Sequence, residues 1–152
     1  MSRILCLLRH GRATGQGPEA ELTPEGAAYV SALGVRLAAE GWRPEKVYSS
    51  PYRRARETAR IVLAEAGPDL TPELLEDLTP ETTPAEALAA LLTAGLPAGR
   101  TLVVAHLPLL GLLCEHLADD DPGFHPGTFV EIELAEDGAS GMILRVIGPS
   151  GA

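Results

Sequence analysis

Two cysteines, Cys6 and Cys114, and a single lysine, Lys46, are all that the 152 residues contain of either type. Cys6 falls in an apolar strand pattern and Cys114 in a helical one. Both are expected to be small buried hydrophobes in a reducing compartment, neither disulfide partners nor nucleophiles. The four histidines, His10, His106, His116 and His125, include no i,i+4 pair and no companion cysteine cluster, so no metal site and no cofactor is expected. His116 and His125 are read as surface residues. A formal charge of -9 with one lysine argues against a nucleic-acid partner, which requires a basic surface. It also makes the arginines conspicuous. No apolar run approaches the roughly 20 residues of a membrane span, and the five apolar residues after Met1-Ser2-Arg3 are too few for a signal-peptide core. A soluble cytoplasmic protein with no membrane partner is the expectation. There are no repeats, low-complexity tracts or linkers, so residues 1–152 are read as one domain, large enough to bury roughly 68 to 70% of the unfolded chain's surface. Oligomeric state is not legible.

What the chain does contain is Leu8-Arg9-His10-Gly11 at the end of an apolar run. In Ile4 to Leu8 both alternating sets of side chains are oily, as in a strand covered on both faces. Arg9 and His10 therefore stand where a buried strand surfaces, in the kind of crevice where open α/β sheets bind ligands, with Gly11 free to turn beside one. Leu102-Val103-Val104-Ala105 is a second such strand, and it too ends in a histidine, His106. Two buried strands deliver two imidazoles to one edge.

Strands and helices alternate along the rest of the chain. Thr23 as N-cap and Pro24 at the first helical position open a helix to about Glu40, with Ala27, Val30, Gly34 and Leu37 on one face. Val47-Tyr48-Ser49 is a short strand. Ser50-Pro51 repeats the cap-plus-proline signal for a helix to about Ala66, with Ala55, Ala59 and Val62 inward, stopped by Gly67-Pro68. A short strand is expected near Leu74-Leu75. Thr83-Pro84-Ala85-Glu86 is a capping box opening a helix through Leu88, Leu91 and Leu92. After His106 comes a leucine-rich helix from Pro108 to about Leu117. Thr128 to Leu134 alternates Val130, Ile132 and Leu134 with Glu131 and Glu133, and Asp137-Gly138 turns it towards Met142 to Ile147. The fold class is α/β: a three-layer sandwich, its mostly parallel central sheet flanked by helices, with a C-terminal antiparallel hairpin at the edge.

Three helices have Ser or Thr before proline, but the helix after His106 has Leu107 there, which offers no acceptor to the first backbone N–H groups. Those donors and the positive helix end suit a phosphate. In the run Tyr52-Arg53-Arg54-Ala55-Arg56-Glu57 most charge belongs to a solvated face, with Arg53 and Glu57 paired at i,i+4. Arg54, in the first turn, reaches back over the strand ends and is the residue placed on a phosphate.

Together these pieces resemble the histidine phosphatases, the superfamily that includes the cofactor-dependent phosphoglycerate mutases. The resemblance rests on Leu8-Arg9-His10-Gly11, Leu22-Thr23-Pro24-Glu25-Gly26, Ser49-Ser50-Pro51 with Arg54-Ala55 and Thr58, and the strand ending at His106. Asp77-Leu78-Thr79-Pro80 and Ala105-His106-Leu107-Pro108-Leu109-Leu110-Gly111 look most like the small bacterial phosphohistidine phosphatases of the SixA type. The resemblance implies that His10 is a nucleophile forming a phosphohistidine and that Arg9, Arg54 and His106 hold the phosphoryl group. Chemistry agrees, since a neutral imidazole can attack phosphorus while guanidiniums and a cationic second imidazole stabilise the equatorial oxygens without a metal. Gly11 and Leu107 complete the expected substrate contacts. Where many members have Glu-Thr and later an asparagine, this chain has Arg12-Ala13-Thr14 and Gln16. Where the mutases carry a long insertion with an acidic proton donor, Pro68 to Thr83 is short; Glu76, Asp77 and Glu81 are its available carboxylates, and Glu81 is the candidate general acid. A metal-independent phosphatase acting on phosphohistidine in a signalling protein is the first reading. A small-molecule phosphomonoesterase, or a mutase-like enzyme, is the second, and a phosphate-binding module without turnover is the third.

Overall fold

A computed structural model describes residues 2–149; the outermost positions of the expected domain, Met1 and 150–152, lie outside the described residues. The elements follow one another as β1 (Arg3–Arg9), α1 (Pro24–Ala39), β2 (Lys46–Ser49), α2 (Arg53–Ala66), β3 (Glu73–Leu74), a 3-10 turn (Glu76–Leu78), α3 (Pro84–Ala94), β4 (Gly99–Ala105), α4 (Leu109–Ala118), β5 (Phe129–Leu134) and β6 (Gly141–Ile147). The strands form one sheet in the order β3-β2-β4-β1-β5-β6. The first four are parallel, β5 is antiparallel to β1, and β6 to β5.

The double oiliness of β1 and β4 has the expected cause. Cys6, Leu8, Leu102 and Val104 pack with Val30, Leu37, Ala55 and Val62 of α1 and α2 on one face. Leu5, Leu7, Val103 and Ala105 pack with Leu88, Leu91, Leu109 and Leu113 of α3 and α4 on the other. This is the three-layer sandwich with its C-terminal hairpin at the edge. Each large side chain so buried contributes about 1.5 to 3 kcal/mol, so both layers matter to stability. Thr23 Oγ1 accepts from Gly26 N–H at 3.0 Å, and Thr83 and Glu86 form the reciprocal capping box, so α1 and α3 begin where their sequence signals put them.

Several local expectations need correction. Ser50-Pro51 does not cap α2, which begins at Arg53 after Tyr52 with no side-chain cap; Ser50 is engaged elsewhere. The edge strand β3 is Glu73–Leu74, one residue earlier than expected, because its ladder with β2 runs through Tyr48 and Ser49. Helix α4 starts at Leu109 with Pro108 as N-cap, one residue late. Leu92 is 40% exposed, since the α3 stripe turns inward through Ala87, Leu88 and Leu91 instead. The largest difference is Glu131. Alternation predicts it facing water, yet it is 3% exposed. The second face of β5 is covered here too, by Trp42 after α1 and by Arg100 and Arg145 from the strands β4 and β6. Trp42 Nε1–H donates to its carboxylate at 2.9 Å, Arg100 pairs with it at 3.1 Å, and Cys6 Sγ–H and Arg145 donate as well. Burial by itself would raise the Glu131 pKa, but the hydrogen bonds from Trp42, Arg145 and Cys6 together hold it below the usual carboxylate value.

Candidate active site

The register of the two central strands builds the site. Arg9 lies opposite Ala105 in the β1/β4 ladder, so His10 and His106, each the next residue, leave the sheet side by side. His10 N–H donates to the Ala105 carbonyl at 3.1 Å, and the ring centroids are 5.0 Å apart. The second arginine comes from α2. Arg54 is 5% exposed, and its Nε–H donates to His10 Nε2 at 3.2 Å while Nη1 donates to the Gly17 carbonyl at 2.7 Å. Arg9 Nη1 donates to the Phe124 carbonyl at 2.9 Å, and its Nε is buried without a partner among the described residues. These four side chains line one cavity of about 680 Å³ together with Tyr52, Arg12, Gln16, Leu107, Pro126 and Glu81. Its lining holds three guanidiniums and one carboxylate. An anion-accepting cleft thus exists in a strongly acidic chain, because local charge outweighs distant charge screened by solvent.

The His10 ring is fixed in one tautomer. Nδ1 lies 2.7 Å from the Gly11 carbonyl, an acceptor only, so Nδ1 carries the proton. Nε2, facing the Arg54 donor, keeps its lone pair. Burial first, and the charges of Arg54 and Arg9 after it, push the His10 pKa down to about 4 against the pull of the Gly11 carbonyl. Burial, then His10, Arg54 and Arg9, push His106 to about 3. At neutral pH both rings are uncharged. The cationic second imidazole expected from the sequence is therefore not the state of the free site.

Gly11 serves His10 from behind. Its N–H donates to Thr58 Oγ1 at 3.1 Å and its carbonyl holds the His10 ring, so neither backbone group is left for a substrate. A side chain at Gly11 would meet the Gly26 carbonyl at 2.9 Å, so close approach to α1 demands glycine there, where a free turn was expected. Leu107 lines the cavity. The uncapped start of α4 is found, but its Leu110 N–H is already bonded to the His106 carbonyl at 2.9 Å. The start of α2 is uncapped as well, so two helices, not one, begin at this cleft without a side-chain cap. Glu81 is exposed and lines the cavity, whereas Asp77 belongs to a separate hollow with Glu86 and Ala89. Arg53 pairs with Glu57 at 3.1 Å and Glu21 at 2.8 Å, outside the cleft. His116 and His125 are exposed.

Sequence reasoning missed Tyr52 and misread Ser50. The Tyr52 ring stands edge-on to His106 at 4.9 Å and under the Arg54 guanidinium at 5.0 Å. No local periodicity announces such a contact. Ser50 did carry a signal, the hydroxyl before proline, but its partner is His106 and not a helix end.

Comparison with known proteins identifies the family and the fold. A family model described as the histidine phosphatase superfamily (branch 1) matches residues 5–80. The structure of the protein histidine phosphatase SixA complexed with tungstate is similar with a TM-score of 0.85 and 27% identity, covering 96% of this chain and 97% of that one. A mycobacterial glucosyl-3-phosphoglycerate phosphatase shares the fold at a TM-score of 0.73 and 17% identity, over 95% of this chain and 98% of that one. A 2,3-bisphosphoglycerate-dependent phosphoglycerate mutase of Methylobacterium sp. (strain 4-46) is 39% identical over 79 residues, or 46% of this chain. The match spans 38% of that mutase's length.

Proposed function

Because the chain belongs to the histidine phosphatase superfamily, we propose that it is a phosphohistidine phosphatase, acting through a phosphorylated His10 on a phosphohistidine in a signalling protein. The observation that carries this is the His10 ring, held as the Nδ1–H tautomer by Gly11 and uncharged by burial, its Nε2 beside Arg54. In the first step Nε2 attacks phosphorus in line with the departing imidazole. In the second, water displaces His10 from the same phosphorus. Arg9 and Arg54 supply fixed positive charge to the equatorial oxygens in a cleft that needs no reorganisation, and His106 supplies a hydrogen bond. With charge supplied by side chains the reaction runs without a metal ion or cofactor. The reading takes residues 1–152 as a single soluble domain with no nucleic-acid or membrane partner. Among the described residues no helix is long and apolar enough to cross a membrane.

The likeness to SixA supports the protein substrate, as does the short Pro68 to Thr83 segment, which forms a two-residue strand and one 3-10 turn instead of an enclosing lid. A second reading, hydrolysis of a small phosphomonoester, is favoured by one observation: Glu81 lines the cleft. Expelling an alkoxide calls for a proton, and a positioned acid is worth roughly 10²- to 10⁴-fold. A phosphohistidine whose second ring nitrogen is already protonated releases neutral imidazole, so no acid has to reach the departing nitrogen.

The experiment is phosphoenzyme trapping, with kcat/KM for a phosphohistidine peptide, an aryl phosphate and a sugar phosphate. An alkali-stable, acid-labile phosphate should appear on His10 and vanish, with turnover, in His10→Ala. Glu81→Gln should cost the phosphohistidine reaction less than about tenfold, below the usual general-acid contribution. Asp77→Asn, outside the cleft, should cost nothing. If sugar phosphate is the best substrate and Glu81→Gln collapses its turnover, the small-molecule reading replaces the first. If no donor labels His10, both fall.

A further inference from the structure

Ser50 is fully buried, and its hydroxyl lies 2.7 Å from His106 Nε2. The same oxygen accepts the Tyr52 backbone N–H at 3.2 Å. His106 is 1% exposed, and its other ring nitrogen, Nδ1, has no hydrogen-bond partner among the described residues. The Arg9 Nε shares that condition. Both residues line the cleft.

Counting donors and acceptors decides where the protons are. A hydroxyl has one hydrogen to give and a neutral imidazole has one N–H. Tyr52 N–H is a donor, so among the described residues the only acceptor bonded to the Ser50 hydroxyl is His106 Nε2. If Ser50 donates to it, the ring proton resides on Nδ1 and one buried group is left unmet. If Nε2 carried the proton instead, the Ser50 hydrogen and the Nδ1 lone pair would both be unmet. Buried polar groups are rarely left so, and two are worse than one.

We propose that Ser50 is a positioning residue which fixes His106 as its Nδ1–H tautomer, so that an uncharged imidazole presents a hydrogen-bond donor to the phosphoryl group. Resting on the reading of the cleft as a phosphoryl-transfer site, it gives each imidazole a different face. His10 is held from its Nδ1 side by Gly11 and offers a lone pair at Nε2. His106 is held from its Nε2 side by Ser50 and offers a proton at Nδ1. One attacks and the other donates, although both are neutral and their centroids are 5.0 Å apart. A lone pair at Nδ1 would instead face the anion and repel it. Tyr52 closes the arrangement, because its backbone N–H occupies the Ser50 oxygen while its ring braces His106 from the edge. No proton needs to move between Ser50 and His106 for this to work. The hydroxyl only selects which nitrogen is protonated.

The tautomer can be read without any turnover. Long-range ¹H–¹⁵N spectra of the whole protein at pH 7 should show His106 with Nδ1 protonated and Nε2 bare, and inorganic tungstate should shift the Nδ1 signal. A wild-type spectrum with the proton on Nε2 would overturn the proposal, whether or not the protein proves to be a phosphatase. Ser50→Ala should give averaged His106 signals and bind tungstate more weakly. It should lower kcat on the best donor by tenfold or more, towards the 10²-fold cost of losing one preorganised donor, with a smaller change in KM. Ser50→Thr, which keeps the hydroxyl, should recover kcat to within about threefold of wild type, a far smaller loss than that of a missing donor. A folded Ser50→Ala that keeps both the single tautomer and full kcat also rules the role out. If wild type labels no donor while the Nδ1 proton is seen, the function reading fails and the tautomer assignment stands.

Discussion

Arg54 Nε and His10 Nε2 are 3.2 Å apart, and a guanidinium has no acceptor with which to answer a donor. The contact therefore exists only while the imidazole nitrogen is bare. Protonating His10 would turn the hydrogen bond into a repulsion between two buried cations, and phosphorylating it would hand the Arg54 donor a phosphoryl oxygen instead. In the proposed mechanism, the residue that recognises the group to be transferred thus also guards the charge state of the nucleophile.

Burial first, with the charges of Arg54 and Arg9 adding to it, sets the pH dependence. His10 is pushed down to about 4 and His106 to about 3, from an ordinary 6.5. In the unfolded chain both rings take up protons below about pH 6.5, whereas in the folded protein they resist until about 4 and 3. Protons therefore favour the unfolded chain throughout that window. Stability is full above about pH 6.5 and falls as the pH drops from there to about 4, by on the order of 3 kcal/mol for His10. Ring titrations by NMR should show no His10 protonation above about pH 5, about one unit over its folded value. A His10 midpoint near 6.5 would contradict the burial argument.

The two neighbouring arginines should behave oppositely. Arg54→Ala removes a charge-assisted contact of about 1.5 to 3 kcal/mol, a loss of roughly 10- to 150-fold in vanadate affinity. Arg53→Ala breaks exposed pairs with Glu57 and Glu21, worth less than about 1 kcal/mol to stability, and should leave vanadate binding unchanged. Calorimetric titration of both variants gives the ranking directly, and a reversed order would place the wrong arginine in the cleft.

Activity should survive exhaustive chelation. Arg9, Arg12 and Arg54 bring positive charge to the cleft as side chains, which no chelator removes. Loss of turnover with EDTA, restored by one divalent ion, would mean that a different reaction class operates.

Away from the cleft, Glu131→Ala should lower stability. It strands the Trp42 and Cys6 donors and leaves Arg100 and Arg145 without their shared partner. Arg100 and Arg145 are only partly buried and Arg145 keeps Glu40 at 2.9 Å, so the loss is that of leaving buried donors unmet, about 1 to 3 kcal/mol. The urea midpoint should fall at nearly constant m-value, while kcat measured on the folded fraction stays near wild type.

Glu131 also marks where the sequence stops being readable. The imidazoles at positions 10 and 106 were legible because runs oily on both alternating faces have few places to be, and the residues at their ends must surface together. Thr23 and the Thr83 to Glu86 box were legible because their partners are three residues away. The environment of Glu131 was not, since Trp42, Arg100 and Arg145 come from three other segments and alternation knows nothing of side chains brought over β5 from such distances. Ser50 shows the complementary failure: a correct local signal for a cap, overridden by a histidine that lies far along the chain and close in space.

The placement of β1 has a consequence for how the molecule is made. Its two sheet neighbours are β4 and β5, both from the C-terminal half of the chain. During synthesis the strand that leads into His10 emerges early and waits, with Ile4 to Leu8 exposed, until residues 99–134 have followed it. A polypeptide stopped after α2 would carry His10 and Arg54 yet have nothing against which to zip the strand that bears the histidine. Catalytic competence and topological closure therefore arrive together, and interrupted or nicked copies should be inert and prone to capture by proteases or chaperones instead of acting as partial enzymes.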